Sequence, residues 1–214
     1  VDAMRGGRFI SLEGGEGVGK STQAQMLADA LRGRGLAVLQ TREPGGTRGA
    51  EAIRALLLDQ QYDWDASAEA LLFAAARSDH VTRAIRPALE RGEWVVCDRF
   101  VDSSRAYQAG GDDLSDNAVL SLHTIGSYAL MPDVTFLLQA DGAEVAQRLA
   151  ERDSDGADRI GAKSADYHLR VARRFRDLAA MDAERFVLID ASGSPHDVHG
   201  RILRALAPLL GEGG

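Results

Sequence analysis

Apolar residues recur along this chain in two rhythms. Short runs rich in branched side chains, RFISLE at 8–13, LAVLQT at 36–41, EWVVCD at 93–98, DVTFLLQ at 133–139 and RFVLID at 185–190, read as five strands. The longer stretches between them carry helical spacing instead. Ala24, Leu27, Ala28 and Leu31 fall on one face, and RGRG at 32–35 supplies a stop. Tyr167, Val171, Phe175 and Leu178 repeat that spacing after the fourth strand, as do Val198, Ile202, Leu206 and Leu209 further on. A regular succession of strand and helix requires a crossover at each return to a parallel neighbour. The pattern therefore predicts an α/β fold, a five-stranded parallel sheet with helices on both faces, with ligands gathered at the carboxyl ends of the strands.

Composition changes this picture mainly by exclusion. A chain of 214 residues with 45% hydrophobic and 27% charged side chains is expected to fold as a single domain covering 1–214. The 32 acidic against 25 basic residues, a formal charge of −7, give no support to a nucleic-acid footprint or a polybasic membrane patch. Neither a nucleic acid nor a membrane is expected as a partner. Cys97 is the one cysteine, so neither an intramolecular disulfide nor a cysteine metal cluster can form. With no run long enough to span a bilayer and no signal-peptide pattern, a cytoplasmic location is expected. One stretch interrupts the helical rhythm: ERDSDGADRIG, 151–161, mixes charge with Gly156 and reads as an exposed loop.

The strongest chemical signal is SLEGGEGVGKSTQ, 11–23, where Gly14, four residues, Gly19, Lys20 and Ser21 fit G-x-x-x-x-G-K-[ST] between a strand and a helix. A chain that wraps a polyphosphate must turn its amides inward and keep side chains out of the way, which selects glycine. Gly14, Gly15, Glu16, Gly17, Val18, Gly19, Lys20, Ser21 and Thr22 are thus the candidate ATP-binding residues. Lys20 adds a mobile cation and the Ser21 hydroxyl a ligand for Mg2+. A P-loop serves motors, switches and kinases alike. The N-K-x-D that reads guanine in nucleotide switches is missing, and a kinase for a small acceptor should show a second set of arginines at other strand ends.

Three segments supply that set: TREPGGT at 41–47, EALLFAAARSDH at 69–80 and DRFVDSSRAYQAGG at 98–111. Arg99 follows a strand end, where a guanidinium can grip a phosphate, and Asp98 beside it can hold Mg2+ through water. Phe73 and Arg77 lie one helical turn apart, offering a ring to stack on a base and a fork to bond its edge. Ser103, Ser104, Tyr107 and Gln108 can line a polar pocket. Taken singly, Phe73 reads better as core and Arg77 as a solvated face.

Together, T-R-E-P-G-G-T, L-F-A-A-x-R and D-R-[YF]-x-x-S-x-x-A-Y-Q resemble the bacterial thymidylate kinases, over nearly the whole chain. The resemblance implies the P-loop nucleoside monophosphate kinase fold, ATP and dTMP as substrates, dTDP as product on the way to dTTP, Mg2+ as cofactor and a homodimer. It implies that Phe73 stacks on thymine, that Arg77 bonds its carbonyl oxygen, and that Ser104 and Gln108 help read its polar edge. Arg99 and Arg54 would bind the dTMP phosphate, Tyr107 would face the deoxyribose, and Glu43 and Pro44 would form the acceptor-side turn, with Arg42 beside them. Glu16 would face the acceptor sugar or a hydrated metal ion. Because the P-loop interior lacks arginine, the family resemblance makes 151–161 a lid that supplies it. Asp158, Arg159 and Ile160 match the lid's DRI segment, with Arg152 a second candidate, while Gly161 departs from the acidic residue that some relatives carry there.

Overall fold

The structure is a computed structural model that describes residues 6–109, 114–142, 144–146, 148, 159–161 and 163–211. Five strands form: β1 Phe9–Glu13, β2 Val38–Arg42, β3 Trp94–Asp98, β4 Val134–Gln139 and β5 Phe186–Asp190. All pair in parallel, in the order β2-β3-β1-β4-β5. The observed strands sit within a residue or two of the runs read from sequence. Chain order reverses on either side of β1, which opens a crevice at its carboxyl end. Register sets what lines that crevice: Leu12 pairs with Asp98, and Asp98 with Arg42. The three loops that follow β1, β2 and β3 therefore leave the sheet at one level.

Alternation along each strand divides the core. Ile10, Leu12, Val96 and Phe136 face a cluster with Leu27 and Leu31 of helix α1 (Lys20–Gly33) and Ile202 and Leu206 of the last helix. On the opposite face, Phe9, Val95 and Cys97 pack with Ile85 and Phe100, and Leu137 packs with Val171, Phe175 and Leu178. Cys97 is a fully buried core thiol, and burial pushes its pKa up.

Helices α1, α2 (Arg48–Leu58), α3 (Ala66–His80) and α5 (Val101–Tyr107) border the crevice, and α6 (Asp116–Ser127), α7 (Ala165–Met181) and α8 (Pro195–Leu206) pack around them. A π-helical turn, Val81–Ile85, carries α3 on into the short α4, Arg86–Glu90. Thr47, Asp65, Ser115, Ser164 and Ser194 each accept a backbone N–H at the start of a helix. The 69–80 segment lies within α3, which puts Phe73 and Arg77 one turn apart as read from sequence, and α8 ends at Leu206, so Leu209 packs on the core from the turn that follows. Among the described residues no helix is long and apolar enough to cross a membrane.

Candidate active site

The crevice holds a cavity of about 500 Å³ bounded by the three loops and by α2, α3 and α5. On the donor side, Glu16, Gly17, Gly19, Lys20, Ser21 and Thr22 line it. Gly14, Gly15 and Val18 do not: Val18 is buried in the core, while Gly14 and Gly15 contribute carbonyls to Arg99 and Lys20. Gly14 has φ 137°, and a Cβ there would meet Leu138 O at 2.5 Å, so no side chain fits. Lys20 is buried, with Nζ donating to Gly15 O at 2.5 Å. Burial, reinforced by Arg99, lowers its pKa to about 8, against the pull of Glu16, Asp98 and Glu13. A buried ammonium held this way gains most from a polyanion.

Ser21 Oγ donates to Asp98 Oδ2, joining the start of α1 to the end of β3. Asp98 Oδ1 is buried with no hydrogen-bond partner. A hydroxyl and a carboxylate with an unsatisfied oxygen are hard oxygen donors that fit Mg2+, directly or through water.

Arg99 has a left-handed backbone, φ 68°, uncommon for a residue with a side chain. Its Nη2 donates to Glu16 Oε1 at 2.6 Å, its Nη1 to Gly14 O and Ser103 Oγ at 3.2 Å each, and the guanidinium lies 5.1 Å from the Tyr107 ring centroid. Tyr107 donates its hydroxyl to Glu16 Oε1 at 3.2 Å. Burial works against charge on Arg99, yet Tyr107, Glu16 and Asp98 together keep its pKa above the ordinary value. Burial also pushes the Tyr107 phenol up, so this ring stays neutral.

The far end of the cavity is built around Arg77. Its Nε donates to Glu43 Oε2 at 2.7 Å and its Nη2 to Ser104 Oγ at 2.8 Å, with only 3% of the residue exposed. His80, fully buried one turn further along α3, bonds Glu43 Oε1 through Nδ1 at 3.1 Å and Thr41 Oγ1 through Nε2 at 2.7 Å. Burial opposes ionisation of Glu43, but Arg77 and His80 more than offset it and hold its carboxyl below the usual range. The Glu43–Pro44 peptide is cis, and Pro44 O accepts from Arg54 Nη1 at 2.8 Å. Gly46, φ 85°, lets the loop pass the histidine: a Cβ there would come within 2.4 Å of His80 Nε2.

Phe73 forms the apolar wall with Leu58 and Ile160 and packs on Leu57 behind them, so it is at once core and cavity lining. Glu43, Pro44, Arg54, Arg77 and Asp98 line the same cavity. So do Arg42 and, from α5 and its end, Ser103, Ser104 and Gln108, with Arg42 also paired to Glu51. Gln108 Nε2 donates to Glu69 Oε1 at 3.1 Å, and its Oε1 is buried without a hydrogen-bond partner.

The expected lid is placed only in part, since 149–158, with Arg152 and Asp158, lies outside the described residues. Arg159 is described, and it is not on the cavity wall: Nε donates to Leu57 O at 2.8 Å and Nη2 to Glu69 Oε2. Sequence reasoning missed three residues. Arg148 lines the cavity and donates from Nη2 to Ala191 O and Gly193 O at 3.0 and 3.2 Å. His80 was legible as the next step of the stripe 73, 77, 80, and Glu13 as a charge ending an apolar strand.

One cavity thus joins a P-loop to a buried arginine pocket, with Arg99 between them. The family model of thymidylate kinases matches residues 12–202. This chain belongs to the thymidylate kinase family. It is 58% identical over 205 residues to the thymidylate kinase of Rhizorhabdus wittichii, a match covering 95% of this chain and 99% of that protein. It is 46% identical over 209 residues to that of Chromohalobacter salexigens, covering 97% and 98%. The crystal structure of thymidylate kinase from Ehrlichia chaffeensis superposes with a TM-score of 0.76 at 29% identity, covering 94% of this chain and 99% of that one. The five-stranded parallel sheet is accordingly that of the P-loop nucleoside monophosphate kinases.

Proposed function

We propose that the two ends of the cavity divide the substrates of the thymidylate kinase reaction, transfer of the γ-phosphoryl group of ATP to dTMP, giving dTDP and ADP. The observation that carries this division is the position of Arg99, bonded to Glu16 of the P-loop on one side and stacked on Tyr107 of the acceptor pocket on the other. ATP phosphates lie along Gly15 to Thr22, and thymine lies between Phe73 and Arg77. Arg77 donates to a carbonyl oxygen of the base, with Ser104 beside it, and the unsatisfied Gln108 Oε1 accepts from the ring N–H. Tyr107 packs on the deoxyribose, and Arg99 and Arg54 bind the acceptor phosphate.

The acceptor oxygen is already ionised, so the protein need not abstract a proton. Its work is to align two polyanions and offset their repulsion. Lys20 and the P-loop amides hold the donor, and Arg99 holds the acceptor. Ser21 and Asp98 would hold Mg2+, which supplies positive charge between the phosphates when bound. Arg159 serves the transferring group by exchanging Glu69 for phosphate, with Arg152 as its companion.

We infer a cytoplasmic homodimer. Leu71 on α3 and Ile125 on α6, two helices packed together, are 55% and 80% exposed, and sedimentation checks the dimer. The defining experiment supplies Mg-ATP with dTMP, dUMP, dGMP or dCMP and measures diphosphate formed. dTDP is expected to dominate, and a preference for another acceptor would overturn the base assignment.

A further inference from the structure

We infer that Glu13 is a positioning residue for the acceptor arginine: from the last position of β1, its carboxyl group holds the turn that aims Arg99 into the cavity. The inference rests on the acceptor role proposed for Arg99. Glu13 is fully buried and does not line the cavity, so it touches neither nucleotide. A buried carboxyl group is tolerated only when its oxygens are satisfied. Here all its partners come from one place. Oε1 accepts from Phe100 N–H at 2.7 Å and Ser103 N–H at 3.3 Å, and Oε2 accepts from the Ser103 hydroxyl at 2.6 Å.

That place lacks the usual support. Among the described helices, five are capped by a side chain at their own start, but α5 begins after Phe100, which provides no such bond. Glu13 reaches across from the neighbouring strand to do so. Leu12 O meanwhile accepts Arg99 N–H at 3.0 Å, so consecutive residues of β1 grip both sides of the left-handed Arg99. The link to the guanidinium is Ser103 Oγ, shared between Glu13 Oε2 and Arg99 Nη1. Glu16 meets the same arginine from the cavity side, whereas Glu13 acts from behind.

The test is steady-state kinetics of Glu13→Ala and Glu13→Gln, with thermal melts to confirm folding. Glu13→Ala is expected to raise KM for dTMP about tenfold or more while KM for ATP stays within about twofold, because only the acceptor grip loosens. Glu13→Gln can still accept from Phe100 N–H and Ser103 N–H through its amide oxygen, with its amide N–H donating to a turned Ser103 hydroxyl, and should recover most of that loss. If Glu13→Ala does not fold, Glu13→Asp, one methylene too short, carries the same expectation. Equal changes in both KM values, no change in either, or failure of glutamine to recover the dTMP KM would overturn the positioning role. A wild-type chain that makes no dTDP would instead remove the function on which the inference rests.

Discussion

Arg159 and Glu69 are joined through Nη2 and Oε2, which ties the arginine proposed to serve the transferring group to α3 rather than to the P-loop. Glu69 is 4% exposed and also accepts from Gln108, so the carboxylate that orients the amide proposed to read the base is the one that holds the arginine. Reaching a transferring phosphoryl group means giving up that bond for a more highly charged partner. Arg159→Ala is therefore expected to lower kcat on the order of 10³-fold, with KM for ATP nearly unchanged. Single-turnover measurement checks it, and near-normal turnover would leave Arg159 with the structural bond alone.

Arg99 combines the phosphate grip proposed for it with an unfavourable backbone, and two substitutions separate these. Both Arg99→Ala and Arg99→Gly remove a charge-assisted contact worth roughly 1.5–3 kcal/mol, so KM for dTMP should rise about 10- to 100-fold in each. Glycine accepts φ 68° without the steric cost that alanine bears. The glycine variant should therefore be more stable than the alanine variant by about 1 kcal/mol in urea unfolding. Equal stabilities would show that the turn relaxes around alanine.

The Arg77–Glu43–His80 group makes a different forecast, because both charges are buried. Arg77→Ala leaves the Glu43 carboxylate facing His80 alone, and loss of one partner from a buried pair costs roughly 3–5 kcal/mol. Urea denaturation at neutral pH measures this. A loss below about 1 kcal/mol would mean that water replaces the guanidinium, as at an exposed pair.

Much of this arrangement can be read in the sequence, and the residues show why. The five strands are short runs of branched side chains, the central β3, β1 and β4 buried almost throughout because helices cover both faces. Lys20 and Arg99 follow strand ends while Asp98 closes one, where a parallel sheet presents its ligands. Phe73 was ambiguous because a ring on a cavity wall is also buried by its neighbours, and the fold makes it both core and lining. What spacing cannot convey is contact across the sheet. Glu13 and Ser103 lie 90 positions apart and meet only because β1 and β3 pair in one register. The Arg159 bond to Glu69, also 90 positions apart, was invisible because it joins a turn to α3 by tertiary packing alone.

His123 provides the pH test. It sits on α6 behind the site, 2% exposed, its ring edge-on to Phe100 with centroids 5.6 Å apart. Nε2 donates to Leu130 O at 2.7 Å, while Nδ1 is buried with no hydrogen-bond partner, so a second ring proton would have nowhere to go. Burial, with Arg77 nearby, lowers its pKa from 6.5 to about 4 despite the Leu130 bond. The unfolded chain then takes up a proton that the folded chain refuses between those values. Stability from this group is complete above pH 6.5 and is lost as pH falls towards 4, by about 2 kcal/mol at pH 5 and on the order of 3 kcal/mol at pH 4. His123→Gln keeps a donor for Leu130 O but cannot titrate. Urea unfolding of both proteins at pH 7 and pH 5 should show the variant losing about 2 kcal/mol less than the wild type across that interval, other acidic groups cancelling in the difference. Parallel losses would mean that His123 accepts its proton in the folded state.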